Sequence, residues 1–238
     1  MNPALTRKLI ALVAALFGAG ALPAQSGEPP EPLPTMDKAN FLPDWPDSAA
    51  REGLWKLFVA AEQEAKTFAE TSERWVAIKK AETAKNGVKW LSSGKIELNW
   101  HGHPGTMFHE IFHTVCHKSR FHEQPEDEGW IEGFCDAFRY FMEKKLLKSQ
   151  PPSPWLQKME TYSSLTAQQM LKFNTGDVAY NKKYLFPAAM IISHSKKDYG
   201  EFRKLWFDLL KKRAAARGNV LNDFFGYDKQ KGELLPGR

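Results

Sequence analysis

The chain has 238 residues, 42% of them hydrophobic and 13% aromatic, with a formal net charge of +5. That composition suits one packed domain with tails and excludes a disordered chain. The basic residues are scattered in short runs (Lys79-Lys80, Lys144-Lys145, Lys182-Lys183, Lys211-Lys212-Arg213) rather than gathered on one stripe, so no nucleic-acid partner is expected.

At the N-terminus, Arg7 and Lys8 precede an apolar run from Leu9 to Leu22, and Leu22-Pro23-Ala24 follows as a cleavage-site pattern. Residues 1–24 therefore read as a secretory signal peptide. The run is shorter than the roughly 20 apolar residues needed to cross a bilayer. A secreted or periplasmic protein with no stable membrane insertion after cleavage is the expectation. Pro29, Pro30, Pro32, Pro34, Pro43 and Pro46 make residues 25–46 a semi-extended linker, and residues 47–238 form the domain.

Within that domain a helix is expected from Asp47 or Ser48, because Leu54, Trp55, Phe58, Val59, Ala65 and Phe68 recur at the helical period. A second helical segment is expected over Glu73 to Lys85. Val88 and Trp90, then Ile96, Leu98 and Trp100 beyond Ser92-Ser93-Gly94, alternate as a β-hairpin does. Gly105-Thr106 offers a helix start with Thr106 as N-cap, and this helix runs to about His117. Another helix spans about Glu128 to Lys148 and stops before Pro151-Pro152. Thr166 and Gln169 have the spacing of a capping box, and Val178 to Ala216 reads as helical with breaks near Pro187 and Gly200. The fold class is α+β, mainly helical, with a small hairpin ahead of the helix that carries the chemistry.

That chemistry is concentrated in His109-Glu110-Ile111-Phe112-His113. Residues four apart share a helix face, so both imidazoles reach one ion, while Glu110 is turned about 100° from His109. A carboxylate so placed stays off a Zn2+ ion yet reaches a water whose pKa the ion lowers to about 7, and acts as general base. Met107, Phe108, Ile111, Phe112 and Val115 form an apolar stripe on the other side of the helix. A third ligand is required. Gly at 116 and His at 119 would complete a metzincin pattern, but Cys116 and Ser119 stand there. Glu128 and Glu132 both remain, on a segment whose Trp130, Ile131, Phe134 and Phe138 mark a buried helix. Unpaired carboxylates there are costly, and metal ligation explains Glu132 and Asp136 better than an exposed acidic pair.

The H-E-x-x-H pattern, the eighteen-residue gap to Glu132 and the segment Trp130-Ile131-Glu132-Gly133-Phe134 resemble the catalytic domains of aminopeptidase N-type gluzincins. The run Ile131-Glu132-Gly133-Phe134-Cys135-Asp136 also resembles the I-E-G-x-x-D of plant and bacterial basic secretory proteins. The resemblance implies a zincin-type fold, His109, His113 and Glu132 as zinc ligands, Glu110 as base, and Asp136 hydrogen-bonded to a ligand His. Tyr184, in a Tyr184-Leu185-Phe186-Pro187-Ala188 stretch similar to Y-x-x-G-A, would stabilise the oxyanion, with Tyr180 as reserve. His101, His103, His117 and His122 read as loop or surface imidazoles, and His194 as a weaker candidate.

The same resemblance implies that the strand Lys95 to Trp100 lies at a sheet edge and pairs with peptide substrate. It implies too that antiparallel ligand helices hold Cys116 and Cys135 at opposite ends of the site, which favours two thiols over a disulfide without deciding the matter. The G-x-M-E-N run that anchors a free amine is absent from the sequence. An endopeptidase acting on peptide or protein substrates is the expectation. The alternatives are a non-catalytic cell-envelope module of the same fold, or a zinc hydrolase with a non-peptide substrate.

Overall fold

A computed structural model describes residues 41, 48–70, 77–80, 88–91, 95–98, 103–118, 128–172, 181–215, 220–228 and 231–236. Among them the chain is mainly helical, with two small sheets. The expected signal peptide lies outside the described residues, as does the expected linker apart from Phe41. That side chain is buried: its ring stacks on Phe58 at 5.5 Å and meets Trp55 edge-on at 5.1 Å, and its carbonyl accepts from Arg51 Nε at 2.6 Å. No helix among the described residues is long and apolar enough to cross a membrane.

Helix α1, Ser48–Ala69, starts where the sequence indicates and buries Phe58, Ala65 and Phe68. Val59 is the exception, since it is exposed; Ala61 and Glu62 take its place on the buried face. Of the expected helix over Glu73 to Lys85, the described residues Ala77–Lys80 are instead strand β1, and the rest lies outside the described residues. This four-residue segment gains a ladder of backbone hydrogen bonds from a strand distant in sequence, a gain that local helix propensity does not register. The hairpin follows as β2, Val88–Leu91, and β3, Lys95–Leu98, antiparallel with Val88 opposite Leu98. β3 also pairs in parallel with β1, Ala77 opposite Lys95, so the order is β1-β3-β2. β3 is thus the central strand, and the expectation that it is an edge open to substrate is wrong: both of its hydrogen-bonding sides are taken.

Helix α2, Pro104–Lys118, lies against β2 and β3 on one side and against α3, Glu128–Leu146, on another. Its start differs from the sequence reading. His103, not Thr106, is the cap: its carbonyl accepts from Thr106 N at 2.9 Å and its Nδ1 from Gly105 N at 3.0 Å, with Pro104 at the first helical position. Proline is favoured there because that N–H has no partner in the helix anyway.

The two helices are antiparallel, His109 facing Asp136 and Gly105 facing Glu143. Glu143 fixes this end of the pair. Its carboxylate accepts from Arg139 Nε and from Ser153 Oγ, both at 2.7 Å, and lies against Gly105, where any Cβ would collide with it. Ser153 in turn caps α4, Pro154–Tyr162. The capping box is formed as its spacing implies: Thr166 N donates to Gln169 Oε1 and Gln169 N to Thr166 Oγ1, opening α5, Ala167–Lys172.

Beyond this come a π-helix, Asn181–Leu185, helix α6, Phe186–His194, and helix α7, Tyr199–Ala215. Pro187 does not break the chain's helicity; it occupies the first turn of α6. Gly200 likewise starts α7, and the break falls at Ser195–Asp198 instead. Gly133 of α3 sits against α6 so closely that a Cβ would come within 2.8 Å of Pro187 Cβ. The C-terminal part, α8 (Val220–Phe225), β4 (Tyr227–Asp228) and β5 (Glu233–Leu234), has a function that its sequence does not announce. Asn222 Oδ1 accepts from Trp130 Nε1 at 2.7 Å, Phe225 stacks on the Trp130 ring at 4.4 Å, and Tyr227 OH donates to the Lys182 carbonyl at 2.9 Å. This segment braces both the start of α3 and the π-helix.

On the surface, Glu160 joins α3, α4 and the turn before α7. It accepts from Lys144 Nζ at 2.7 Å, Lys197 Nζ at 2.8 Å and Tyr140 OH at 2.8 Å. Burial alone would raise its pKa, but these donors outweigh it and hold the carboxyl down at about 2. A depressed folded-state pKa contributes stability that is complete above the ordinary value and disappears as pH falls through the folded one. Glu160→Gln is therefore expected to be less stable than wild type at pH 7, with the difference fading between about pH 4.5 and pH 2. Urea unfolding midpoints across that range check it, and a gap that persists at pH 2 contradicts it.

Candidate metal centre

His109 and His113 project from the side of α2 away from its core stripe. Met107, Phe108, Ile111, Phe112 and Val115 are all buried, as the sequence pattern requires. The two imidazoles bring their Nε2 atoms to 3.1 Å from each other. Glu132, from α3, meets both imidazoles through different oxygens: its Oε2 is 3.1 Å from His109 Nε2 and its Oε1 is 3.4 Å from His113 Nε2. Glu132 owes its place to the antiparallel α2–α3 pairing, which the close approach of Gly105 to Glu143 and the His109–Asp136 bond hold in register.

Asp136 lies one turn further along α3, and its Oδ1 accepts from His109 Nδ1 at 2.8 Å. With Nδ1 committed to Asp136, Nε2 is the nitrogen that faces His113 and Glu132. The charges respond accordingly. Burial pushes His109 down, yet the Asp136 charge and hydrogen bond, with help from Glu132 and Glu110, hold its pKa well above the ordinary imidazole value. His113, buried and beside that cation, falls to about 4. Glu132 is driven up by burial but more strongly down by the two imidazoles and the nearby Lys183 ammonium, to about 2. One proton thus sits among three groups that would otherwise repel. Asp136→Asn is expected to bring the His109 pKa down toward its ordinary value, an effect read directly from the imidazole proton shifts in an NMR pH titration. A pKa unchanged by the substitution contradicts this account.

Glu110 follows His109 on α2, and its charge bears on both His109 and Cys135. Tyr184 is half-buried on the π-helix, its ring 5.0 Å from Lys183 Nζ. Tyr180, His101 and His122 lie outside the described residues, and so do the side chains of Glu128 and His117. His103 is the cap of α2, and burial lowers its pKa. His194 packs against Phe224 and Phe225 with ring centroids 5.5 and 5.0 Å away, a packing role.

Sequence reasoning misplaced the cysteines. Cys116 and Cys135 do not point to opposite ends of the site: both are buried free thiols whose sulfurs are 4.0 Å apart. Cys135 also lies at the centre itself, with His109, His113 and Cys135 offering ligand atoms that all fall within 4.8 Å of one another. Simple helix register gives no signal for this, because the antiparallel pairing that sets His113 beside Glu132 would put residue 116 opposite 129; only the folded helices bring the two sulfurs together. A cavity of about 530 Å3 lined by Glu143, Lys144, Lys148, Leu156 and Glu160 includes none of these groups.

Two imidazoles and a carboxylate in contact at 3.1–3.4 Å, a second carboxylate behind one imidazole and a thiol alongside form a group of metal-binding chemistry. Comparison with protein-family models, with curated proteins and with solved structures finds no match for this chain.

Proposed function

We propose that the chain is a zinc-dependent peptidase of the gluzincin type, exported to the periplasm or the exterior, with His109, His113 and Glu132 as ligands. The observation that carries the reading is the spacing of the ligand atoms. Atoms bound about 2.0–2.1 Å from one tetrahedral ion stand about 3.3–3.4 Å from each other. Here the two Nε2 atoms are 3.1 Å apart, and the Glu132 carboxylate spans them, with Oε2 3.1 Å from His109 Nε2 and Oε1 3.4 Å from His113 Nε2. The donor set, two imidazoles and a carboxylate with an Asp holding one imidazole by its far nitrogen, suits zinc and leaves a fourth position for water.

Zinc held by these residues supplies a Lewis acid that brings the pKa of a water to about 7. Glu110 would be the residue that accepts a proton from water and returns it to the leaving amine. Asp136 keeps Nδ1 of His109 protonated and its ring oriented, and Tyr184, on the π-helix, would be the hydroxyl donor to the oxyanion that develops on the scissile carbonyl. Because β3 is internal to its sheet, a peptide adding a strand to the sheet would pair with β1 or β2.

The test is metal analysis of the purified protein together with cleavage of a peptide library before and after chelation. One zinc per chain and chelator-sensitive cleavage are expected; absence of stoichiometric zinc removes the reading. Asp136→Asn should weaken metal binding by about 10–100-fold. One observation favours a second reading, in which the site is closed and does not turn over: Cys135 stands near enough to the two imidazoles to compete for the fourth position.

A further inference from the structure

Zinc sites that catalyse keep one position open, whereas sites with four protein ligands are structural. In this chain the difference depends on a single sulfur. Cys135 Sγ has two neighbours to choose between: the imidazoles of His109 and His113 on one side and Cys116 Sγ, 4.0 Å away, on the other. A sulfur and an imidazole nitrogen on the same tetrahedral zinc stand about 3.6 Å apart, given Zn–S near 2.3 Å and Zn–N near 2.05 Å. From within 4.8 Å, the thiol reaches that position by a shift on the order of 1 Å. The disulfide requires a comparable movement, since the sulfurs must close from 4.0 Å to about 2.05 Å, roughly 1 Å each. The two are the chain's only cysteines, and each is almost wholly buried.

We propose that the Cys116–Cys135 pair is a redox latch on the metal centre: reduced, Cys135 closes the fourth ligand position; oxidised to a disulfide, it is withdrawn and the position is open to water. This rests on the zinc-site reading above. The oxidant is a thiol–disulfide oxidant of the exporting compartment, a protein or small-molecule disulfide. In the exchange the two Cys S–H groups form one S–S bond, the oxidant's S–S bond breaks, and its two sulfurs leave as thiols carrying the two hydrogens and both electrons. In the reduced chain, ligation by Cys135 releases its proton to solvent.

Burial of both sulfurs means that the exchange takes place while α2 and α3 are coming together, and it afterwards shields the bond from reductants. The arrangement has a consequence for an exported hydrolase. A chain that folds in a reducing interior keeps the pair as thiols and its centre closed, whereas a chain that folds after export forms the disulfide and its centre is open. The expectation of a signal peptide at residues 1–24 and the position of the thiols beside the ligand helices thus point to one device.

The experiment uses the full chain, refolded from denaturant either with oxidised glutathione or with a phosphine reductant, and loaded with Co2+ as a spectroscopic substitute. After oxidative refolding the expected result is loss of both titratable thiols in denaturant, a mass lower by two hydrogens, and a cobalt spectrum without a sulfur-to-metal charge-transfer band. The reduced protein should retain two thiols and show that band, Cys135→Ser should lose the band while still binding cobalt, and Cys116→Ser should keep it. Thiols that survive oxidative refolding, or a reduced cobalt protein without the band, overturn the latch and leave the metal site standing. If neither form binds cobalt, the metal-centre reading fails and the latch with it.

Discussion

Glu110→Gln is expected to lower peptide hydrolysis by roughly 10²–10⁴-fold, the usual contribution of a positioned general base, without changing the metal content. Gln preserves the length and planar head of Glu but takes no proton from water. Glu110 adjoins His109 in the chain, yet a helical step of about 100° turns it away from the ligand atoms, so its loss should leave the His109–His113–Glu132 group intact. The check is kcat/KM on a cleaved peptide beside zinc stoichiometry for both proteins. Wild-type hydrolysis in the variant removes Glu110 from the reaction, and joint loss of metal and activity makes it a structural residue instead.

Phe112→Ala should cost about 3–5 kcal/mol of stability, the range for removing a buried aromatic ring. Phe112 is fully buried on the core side of α2, one residue before His113. Its ring stacks on Phe138 at 4.7 Å and meets Phe68 at 5.0 Å and Trp206 at 5.3 Å, both edge-on. Those partners belong to α1, α3 and α7, so one side chain joins four helices, and no single neighbour can fill the space it vacates. Denaturant unfolding of the two proteins measures the difference. A loss under about 1 kcal/mol would mean that the cluster collapses into the gap and that α2 is held in place by other contacts.

These two residues, each next to one of the two histidines, show what the local pattern of α2 carries. The stripe of Met107, Phe108, Ile111, Phe112 and Val115 and the pair His109 and His113 are opposite faces of one 3.6-residue period, and the structure buries the stripe while leaving the His pair at the edge of the core. Asp136 was legible in the same way, being one turn from Glu132, and it meets His109 at 2.8 Å. The hairpin was legible from its alternation, and so was the capping box of Thr166 and Gln169.

The sequence by itself determined what short-range periodicity controls: the faces of α1, α2 and α3, the β2–β3 hairpin, and the presence of two imidazoles and a carboxylate on facing elements. Only the tertiary structure decided what depends on partners distant along the chain. It made Ala77–Lys80 a strand by pairing it with β3 and so placed β3 at the centre of the sheet. It gave His103 the cap of α2, set Gly133 against Pro187, and used the C-terminal segment to brace Trp130 and the π-helix. It also brought Cys116 and Cys135 to 4.0 Å. The physical reason is common to all of these: helix register and strand pairing are fixed by the packing of surfaces that meet only on folding, and no local preference encodes which residue will stand opposite which.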